Sequence, residues 1–241
     1  MKKQKFLFTR FSINASLFQC GLHEENVDKY LHLTLMKKLK NISLYNAASS
    51  GNIFCLKYAH NVIKATNVRN FALCDAASSG SLACLKYAHN VIKATDYNSW
   101  TLSNSARSGS LACLKYSHNV IGATDDNNTL RNAARSGSLA CLKYAHEIIK
   151  AIDNNRTLSN AALSGSLDCL KYAHNVIKAT DVSNYVLSYA ASSGSLACLK
   201  YAHNVIGAID NNNNTLKFAE IISGSLDCIE YCKKHFCKQE T

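Results

Sequence analysis

Six histidines recur at intervals of 28 or 29 residues, and each follows a cysteine by five positions. They are His60, His89, His118, His146, His174 and His203. Both residue types bind zinc, so the pairs suggest a metal site. Five residues turn a helix by about 500°, however, so the two side chains point about 140° apart and cannot hold one ion. We expect core histidines that are hydrogen-bonded to a neighbouring loop.

A second group of metal-binding residue types lies near the end of the sequence. Cys228, Cys232, His235 and Cys237 fall within ten residues, and the first three share a helical face. A closed zinc site requires a second pair of ligands, which this group lacks. We therefore expect no metal and no other cofactor.

The sequence offers no constellation for catalysis. It contains no glycine-rich phosphate loop, no converging pair of acids and no nucleophile elbow. A cysteine repeated in an apolar stripe is not an activated nucleophile. We expect a protein that is not an enzyme and has no small-molecule substrate.

The recurring histidines and cysteines belong to a longer repeat that is marked by a glycine. Its copies fall at Gly51, Gly80, Gly109, Gly137, Gly165, Gly194 and Gly224. A fixed period of this length is typical of a solenoid, in which each unit buries its apolar face against its neighbours. We predict one solenoid domain over residues 16–237, with a degenerate cap repeat at about 16–40. A basic tail at 1–15 and a short tail at 238–241 flank it.

Each repeat is predicted to form two helices. The shorter helix has a leucine seven positions before the glycine and small residues three and four before it, and it follows Asp or Asn residues that can cap its start. Gly165 and its equivalents end this helix in the left-handed conformation, and the following serine caps the longer helix. In the copy after Gly80, an apolar arc of about 180° runs from Leu82 to Val91 and Ile92. The loops are too short for strands, so the fold class is all-α.

The charge leaves two interpretations open. The net charge is +11 and the pI about 9.1, which could indicate a nucleic-acid or anionic-surface partner. Two rows along the longer helices and the basic N-terminus could provide that surface. Alternatively, the lysines are a solvated face and the tyrosines border the core. The rows are Lys57, Lys86, Lys115, Lys143, Lys171 and Lys200, and Tyr58, Tyr87, Tyr116, Tyr144, Tyr172 and Tyr201.

The cysteines and the N-terminus bear on location. Seven of eleven cysteines share one repeat position, where neighbouring helices lie too far apart for disulfides, so we expect reduced thiols in a reducing compartment. The N-terminus begins like a signal peptide, but Arg10 interrupts it after three apolar residues. No stretch has the length of a membrane span. We expect an intracellular, cytoplasmic protein without membrane contact.

The repeat sequence resembles that of the ankyrin repeat family. A leucine and an alanine pair precede the turn glycine and an apolar helix follows, and Ala123-Thr124-Asp125 after Gly122 is similar to the family's Gly-Ala-Asp ending. The Cys-Leu-Lys-Tyr-Ala-His wording resembles a variant frequent in large amoeba-infecting DNA viruses and some protists, which would place the protein in a host cytoplasm. The period is shorter than the family's 33 residues and the Thr-Pro-Leu-His opening is missing. We therefore expect an ankyrin-like helix-hairpin solenoid with the β-hairpins shortened or absent.

The resemblance implies a protein-protein interaction scaffold whose partner binds the concave face formed by the shorter helices. Those helices differ more between repeats than the longer ones, and arginine with aromatic residues is typical of interfaces. The candidate partner-binding residues are Trp100, Arg107, Arg131, Asn132, Arg135, Asn160 and Tyr189. The alternative function is nucleic-acid or anionic-surface binding through the lysine and tyrosine rows.

Overall fold

The computed structural model describes residues 43–65, 71–96, 99–181, 183–210 and 214–236. Every regular element in these ranges is helical, and no strand occurs among them. The prediction of an all-α fold built from helical hairpins, without β-hairpins, is confirmed for this part of the chain. The predicted cap repeat at 16–40 and both tails lie outside the described residues.

The chain divides into two compact units, Met1–Tyr97 and Asn98–Thr241. The described part of the first unit holds two hairpins, formed by α1 (Leu44–Ser49), α2 (Ile53–Asn61), α3 (Ala72–Ser78) and α4 (Leu82–Asn90). The described part of the second unit holds five, formed by α5 (Trp100–Arg107), α6 (Leu111–Tyr116), α7 (Thr129–Arg135), α8 (Leu139–Glu147), α9 (Thr157–Leu163), α10 (Leu167–Tyr172), α11 (Val186–Ser192), α12 (Leu196–Asn204), α13 (Thr215–Phe218) and α14 (Leu226–Phe236). Three of them continue directly into a π-helical turn: α6 into Ser117–Ile121, α10 into Ala173–Ile177 and α13 into Ala219–Ser223. Within each unit, the odd-numbered helices pack side by side, and the even-numbered helices form a second layer.

The turn inside each hairpin follows the predicted design. Gly165, between α9 and α10, has a φ of +72°, a conformation that strains any residue with a Cβ. Ser166 then accepts a hydrogen bond from the backbone N–H of Cys169 at 3.4 Å and so caps α10. The hydroxyl of Ser164 accepts from the N–H of Ser166 at 3.2 Å and donates to the carbonyl of Ala161 at 2.7 Å. The turn therefore satisfies its own polar groups without help from another repeat.

The shorter helices α7 and α9 are capped by aspartates from the preceding loops, as the sequence suggests. Oδ1 of Asp125 accepts a hydrogen bond from the N–H of Thr129 at 3.3 Å, and Oδ1 of Asp153 accepts from Thr157 at the same distance. Each carboxylate lies four residues before the helix begins rather than directly at its N-cap. The caps matter for the surface, because they engage the acidic groups of these loops.

The core consists of the residues that recur in register. In the α9–α10 hairpin, Ala162, Cys169, Leu170 and Ala173 are fully buried, and Leu158 is 4% exposed. The small residues of the shorter helices allow neighbouring backbones to approach, and leucine and cysteine fill the space between the two layers. The apolar repeat positions therefore provide the contacts that hold adjacent hairpins together.

Helix α4 ends earlier than the apolar arc predicts. The arc includes Val91 among the buried residues, but α4 ends at Asn90 and Val91 is 51% exposed. The N–H of Ala94 bonds to the carbonyl of Ala88 at 3.0 Å, and Lys93 adopts a left-handed φ of +58°. This C-terminal turn rotates the chain away from the helical course, so an extrapolation at 100° per residue fails there.

Candidate functional site

Four shorter helices of the second unit, α5, α7, α9 and α11, line a groove of about 420 Å³. We call it the arginine groove, after its four arginines Arg107, Arg131, Arg135 and Arg156. Asn132, Ser159, Asn160, Ser183, Tyr185 and Tyr189 complete its lining. The groove therefore combines cationic, amide, hydroxyl and aromatic side chains, and none of the described residues that line it carries a carboxylate, thiol or imidazole.

The helical register brings these side chains to one face. On α7, Arg131 and Arg135 are four residues apart and lie on the same side of the helix. Leu130, Ala133 and Ala134 occupy other sides of the helix and are buried. The core positions of the repeat therefore fix the direction in which the arginines project.

The arginines have no acidic partner among the described residues. The one ion pair within 4 Å in these residues joins Lys233 to Glu220, far along the sequence from the groove. Nη1 of Arg135 donates a long hydrogen bond to Oδ1 of Asn160, at 3.5 Å. The nearby Asp125 and Asp153 cap helices, and no described carboxylate lies within 4 Å of a groove arginine.

Two tyrosines form one end of the groove. The rings of Tyr185 and Tyr189 are stacked, with centroids 5.3 Å apart and planes inclined by 11°. Tyr185 is 41% exposed. Tyr189 occupies the repeat position that Asn132 and Asn160 occupy on α7 and α9, five residues before the glycine. The character of the groove thus changes from cationic and amide to aromatic at α11.

The two asparagines are held by the backbone. Nδ2 of Asn132 donates to the carbonyl of Ser103 at 3.3 Å, and Nδ2 of Asn160 donates to the carbonyl of Arg156 at 2.8 Å. Oδ1 of Asn160 receives Arg135. Oδ1 of Asn132 has no hydrogen-bond donor among the described residues, so it remains an acceptor within the groove.

Six of the seven candidate partner-binding residues line the groove, namely Arg107, Arg131, Asn132, Arg135, Asn160 and Tyr189. The seventh, Trp100, is 46% exposed at the start of α5 and is not among the lining residues. The sequence interpretation missed Arg156, Ser159, Ser183 and Tyr185. Arg156 and Tyr185 stand nine residues before their glycines, as Trp100 does, so the repeat register would have identified them.

The lysine, tyrosine and histidine rows meet between neighbouring repeats. The hydroxyl of Tyr144 lies 3.1 Å from Nδ1 of His118, at hydrogen-bonding distance, and Nζ of Lys115 lies 5.7 Å from the centre of the same ring. Equivalent tyrosine–histidine pairs recur in both units. They are His60 with Tyr87, His146 with Tyr172, His174 with Tyr201, and His203 with Tyr231.

This geometry corrects the expectation for the histidines. They are half-buried, and their partner is a tyrosine hydroxyl of the next repeat rather than a loop. It also defines the role of the tyrosines, whose rings contact a histidine edge-on and a lysine on one face. The lysines of the row, from Lys57 to Lys200, remain exposed.

One of these tyrosine–histidine contacts between neighbouring repeats differs from the others. Glu147 stands where most repeats have asparagine, and its Oε1 accepts a hydrogen bond from the hydroxyl of Tyr172 at 2.6 Å. Burial, together with this hydrogen bond and the negative charge of Glu147, raises the pKa of Tyr172 to about 12. The tyrosine therefore stays neutral over the whole physiological range.

The cysteines of the repeat are structural. Cys113, Cys141, Cys169 and Cys198 are fully buried free thiols, and burial raises the pKa of each. Burial also raises the pKa of the Cys74 thiol to about 12. Such thiols are poor nucleophiles because the thiolate is the reactive form.

The C-terminal residue group does not form a metal site within the described residues. Cys228 and Cys232 are fully buried, whereas the ring of His235 packs against Tyr231 at 4.3 Å. Cys237 lies outside the described ranges. No group of three or more histidine, cysteine, aspartate or glutamate side chains in the described part of the chain is placed to hold a metal ion.

No protein-family model matches the chain, and the comparison with curated proteins gives no match. Among solved structures, the chain is similar to the ankyrin repeat domain of human ASB11, with 20% sequence identity and a TM-score of 0.47. The alignment covers 79% of this chain and 97% of that domain. A similarity at this level carries no information about partners. Within the described ranges, none of the helices combines the length and the apolar character needed to cross a membrane.

Proposed function

We propose that the protein is a non-enzymatic scaffold that binds a partner protein through the arginine groove. The observation that carries this proposal is the set of four groove arginines with no acidic partner among the described residues. Arginine beside tyrosine and asparagine is the composition found at the energetic centres of protein interfaces. The described lining of the groove holds no carboxylate, imidazole or thiol that could activate its serine and tyrosine hydroxyls, so we infer that it serves binding rather than bond chemistry.

Nucleic-acid or anionic-surface binding through the lysine row is the alternative function. The exposed lysines favour it, as does the net charge of +11. The tyrosines count against it, because base stacking needs a free ring face. The Tyr144 ring already contacts His118 at its edge and Lys115 on a face.

The buried free cysteines support a reducing location. In the described residues all nine are buried and unbonded to one another. This favours the cytoplasm of the native cell, or of a host cell if the protein is viral, because thiols are kept reduced there.

Affinity capture from a lysate of the native cell tests the two functions. Wild-type protein is compared with the variant R107A/R131A/R135A, and each is run with and without nuclease. If the groove is the functional surface, a protein is retained by the wild type after nuclease treatment and lost with this variant. Retention that disappears with nuclease would instead favour nucleic-acid binding.

A matched control removes the same charge from the other surface. The variant K115A/K143A/K171A loses three positive charges from exposed positions on α6, α8 and α10 of the same unit. It should retain the partner if the groove is responsible. A partner lost with the lysine variant but kept by the groove variant would refute the proposal. Thermal melts of both variants establish that each remains folded.

A further inference from the structure

The charge of the arginine groove restricts the chemistry of its occupant. Four guanidinium groups face a cavity whose lining contains no carboxylate, and no described carboxylate lies within 4 Å of them. Guanidinium groups form paired, parallel hydrogen bonds with carboxylates, which makes such contacts both strong and directional. An occupant that neutralises the groove must therefore carry several negative charges.

The positions of the lining residues restrict its length and polarity. The groove runs over α5, α7, α9 and α11, which pack as consecutive neighbours. Three steps of about 8–10 Å between helices give about 24–30 Å, the length of about seven to nine extended residues. The arginines lie on or next to α5, α7 and α9, and the stacked pair Tyr185 and Tyr189 lies at α11. Acidic groups therefore belong along most of the segment, with an apolar or aromatic group at its α11 end.

A peptide fits the groove better than a nucleic acid does. Oδ1 of Asn132 is an acceptor without a donor among the described residues. The backbone N–H groups that recur along a peptide can satisfy it, whereas the phosphates of a nucleic acid only accept hydrogen bonds and leave the donor to a base or a ribose hydroxyl. Each of the two stacked tyrosine rings also covers one face of the other, which removes half of the stacking surface that bases would use.

We propose that the arginine groove binds an extended acidic segment of a partner protein, about seven to nine residues long, whose carboxylates pair with Arg107, Arg131, Arg135 and Arg156. An apolar or aromatic residue of this segment packs on Tyr185 and Tyr189. The inference rests on the proposed function and names the chemistry of the partner at that site.

Selection from a display library of random nonapeptides tests this inference with the full chain. Wild-type protein should enrich peptides that are rich in aspartate and glutamate. A fluorescein-labelled copy of the most enriched peptide is then titrated by fluorescence anisotropy. Its affinity should fall by at least about tenfold when its acidic residues are changed to their amides, a change that leaves the protein itself untouched.

Three protein variants locate the binding. R107A/R131A/R135A should weaken the selected peptide by at least about tenfold, and K115A/K143A/K171A should leave its affinity within about twofold. The variant R107K/R131K/R135K keeps the charge but loses the paired geometry, so its affinity should lie between those of wild type and the alanine variant. Equal binding by all four proteins would overturn the inference.

The remaining outcomes separate this inference from the proposed function. Peptides that depend on the groove arginines but show no enrichment in acidic residues would leave the scaffold function standing and refute the acidic partner. A library in which no peptide depends on those arginines would refute both. An oligouridylate of about twelve nucleotides that binds the groove more tightly than the selected peptide would make nucleic acid the occupant and overturn the inference.

Discussion

A buried carboxylate in the first unit provides a direct test of the packing argument. Oδ2 of Asp75 on α3 is buried and has no hydrogen-bond partner among the described residues. Desolvation raises the pKa of Asp75 from its ordinary 3.8 to about 6. Other repeats place asparagine at this position, for example Asn46 and Asn104. The change Asp75→Asn therefore removes the buried charge and adopts the residue that the chain uses elsewhere.

The size of the effect follows from the pKa. A raised pKa means that Asp75 penalises the folded state when it is ionised, so the protein loses stability as the pH rises through about 6. The full difference from 3.8 corresponds to about 3 kcal/mol, and partial solvation of the side chain reduces this to about 1–2 kcal/mol. Asp75→Asn should thus stabilise the protein by about 1–2 kcal/mol at pH 7.5, and the gain should vanish below about pH 4.

Urea unfolding monitored by circular dichroism between pH 4 and pH 7.5 measures this difference. Asp168→Asn is the matched control, because it removes the same charge from an exposed position on α10 and should not stabilise the protein at any pH. A gain for Asp75→Asn that is the same at pH 4 and pH 7.5 would refute an electrostatic cause. Absence of any gain at pH 7.5 would refute the burial of an ionised carboxylate.

Three further experiments test other details of the repeat. Lys150 has a left-handed φ of +58° where another repeat has Gly122, so Lys150→Gly should stabilise the protein by about 0.5–1 kcal/mol in urea unfolding, and Gly122→Lys should destabilise it by a similar amount. Glu147→Asn removes the charge and the acceptor beside Tyr172, so an ultraviolet titration should place the pKa of Tyr172 below its present value of about 12 yet above 10, because burial persists. The Cys169 thiol is fully buried, so it should resist a maleimide reagent at pH 8 in native protein and react in urea, as followed by peptide mass spectrometry; rapid native labelling would contradict the structure.

The core could be predicted from sequence because the repeat imposes it on every copy. Leu158, Ala162 and Cys169 recur in register, and a helix pair of this length leaves few ways to bury them together. The turn at Gly165 was equally predictable, because glycine followed by serine specifies a left-handed residue and a helix cap.

The details that escaped prediction depend on contacts between repeats or on the end of a helix. Val91 appears apolar and in phase, yet the backbone turn at Lys93 places it in solvent. The joint between His118 and Tyr144 spans 26 residues, and its formation requires the spacing of two neighbouring helices, which periodicity alone does not provide. Sequence periodicity thus identifies which positions are buried but not which polar groups meet.

The arginine groove was partly predictable for the opposite reason, since it lies where the copies disagree. The position five residues before the glycine carries Asn132, Asn160 and Tyr189 on successive shorter helices that share one backbone geometry. Packing alone does not account for the change from asparagine to tyrosine at equivalent half-buried sites, so the order of these residues along α7, α9 and α11 gives the groove a direction. A partner segment that binds this surface must run in one sense only, with its acidic part along the arginines and its apolar or aromatic part at the tyrosines. Reversing the sequence of a selected peptide should therefore abolish binding even though its composition and charge are unchanged.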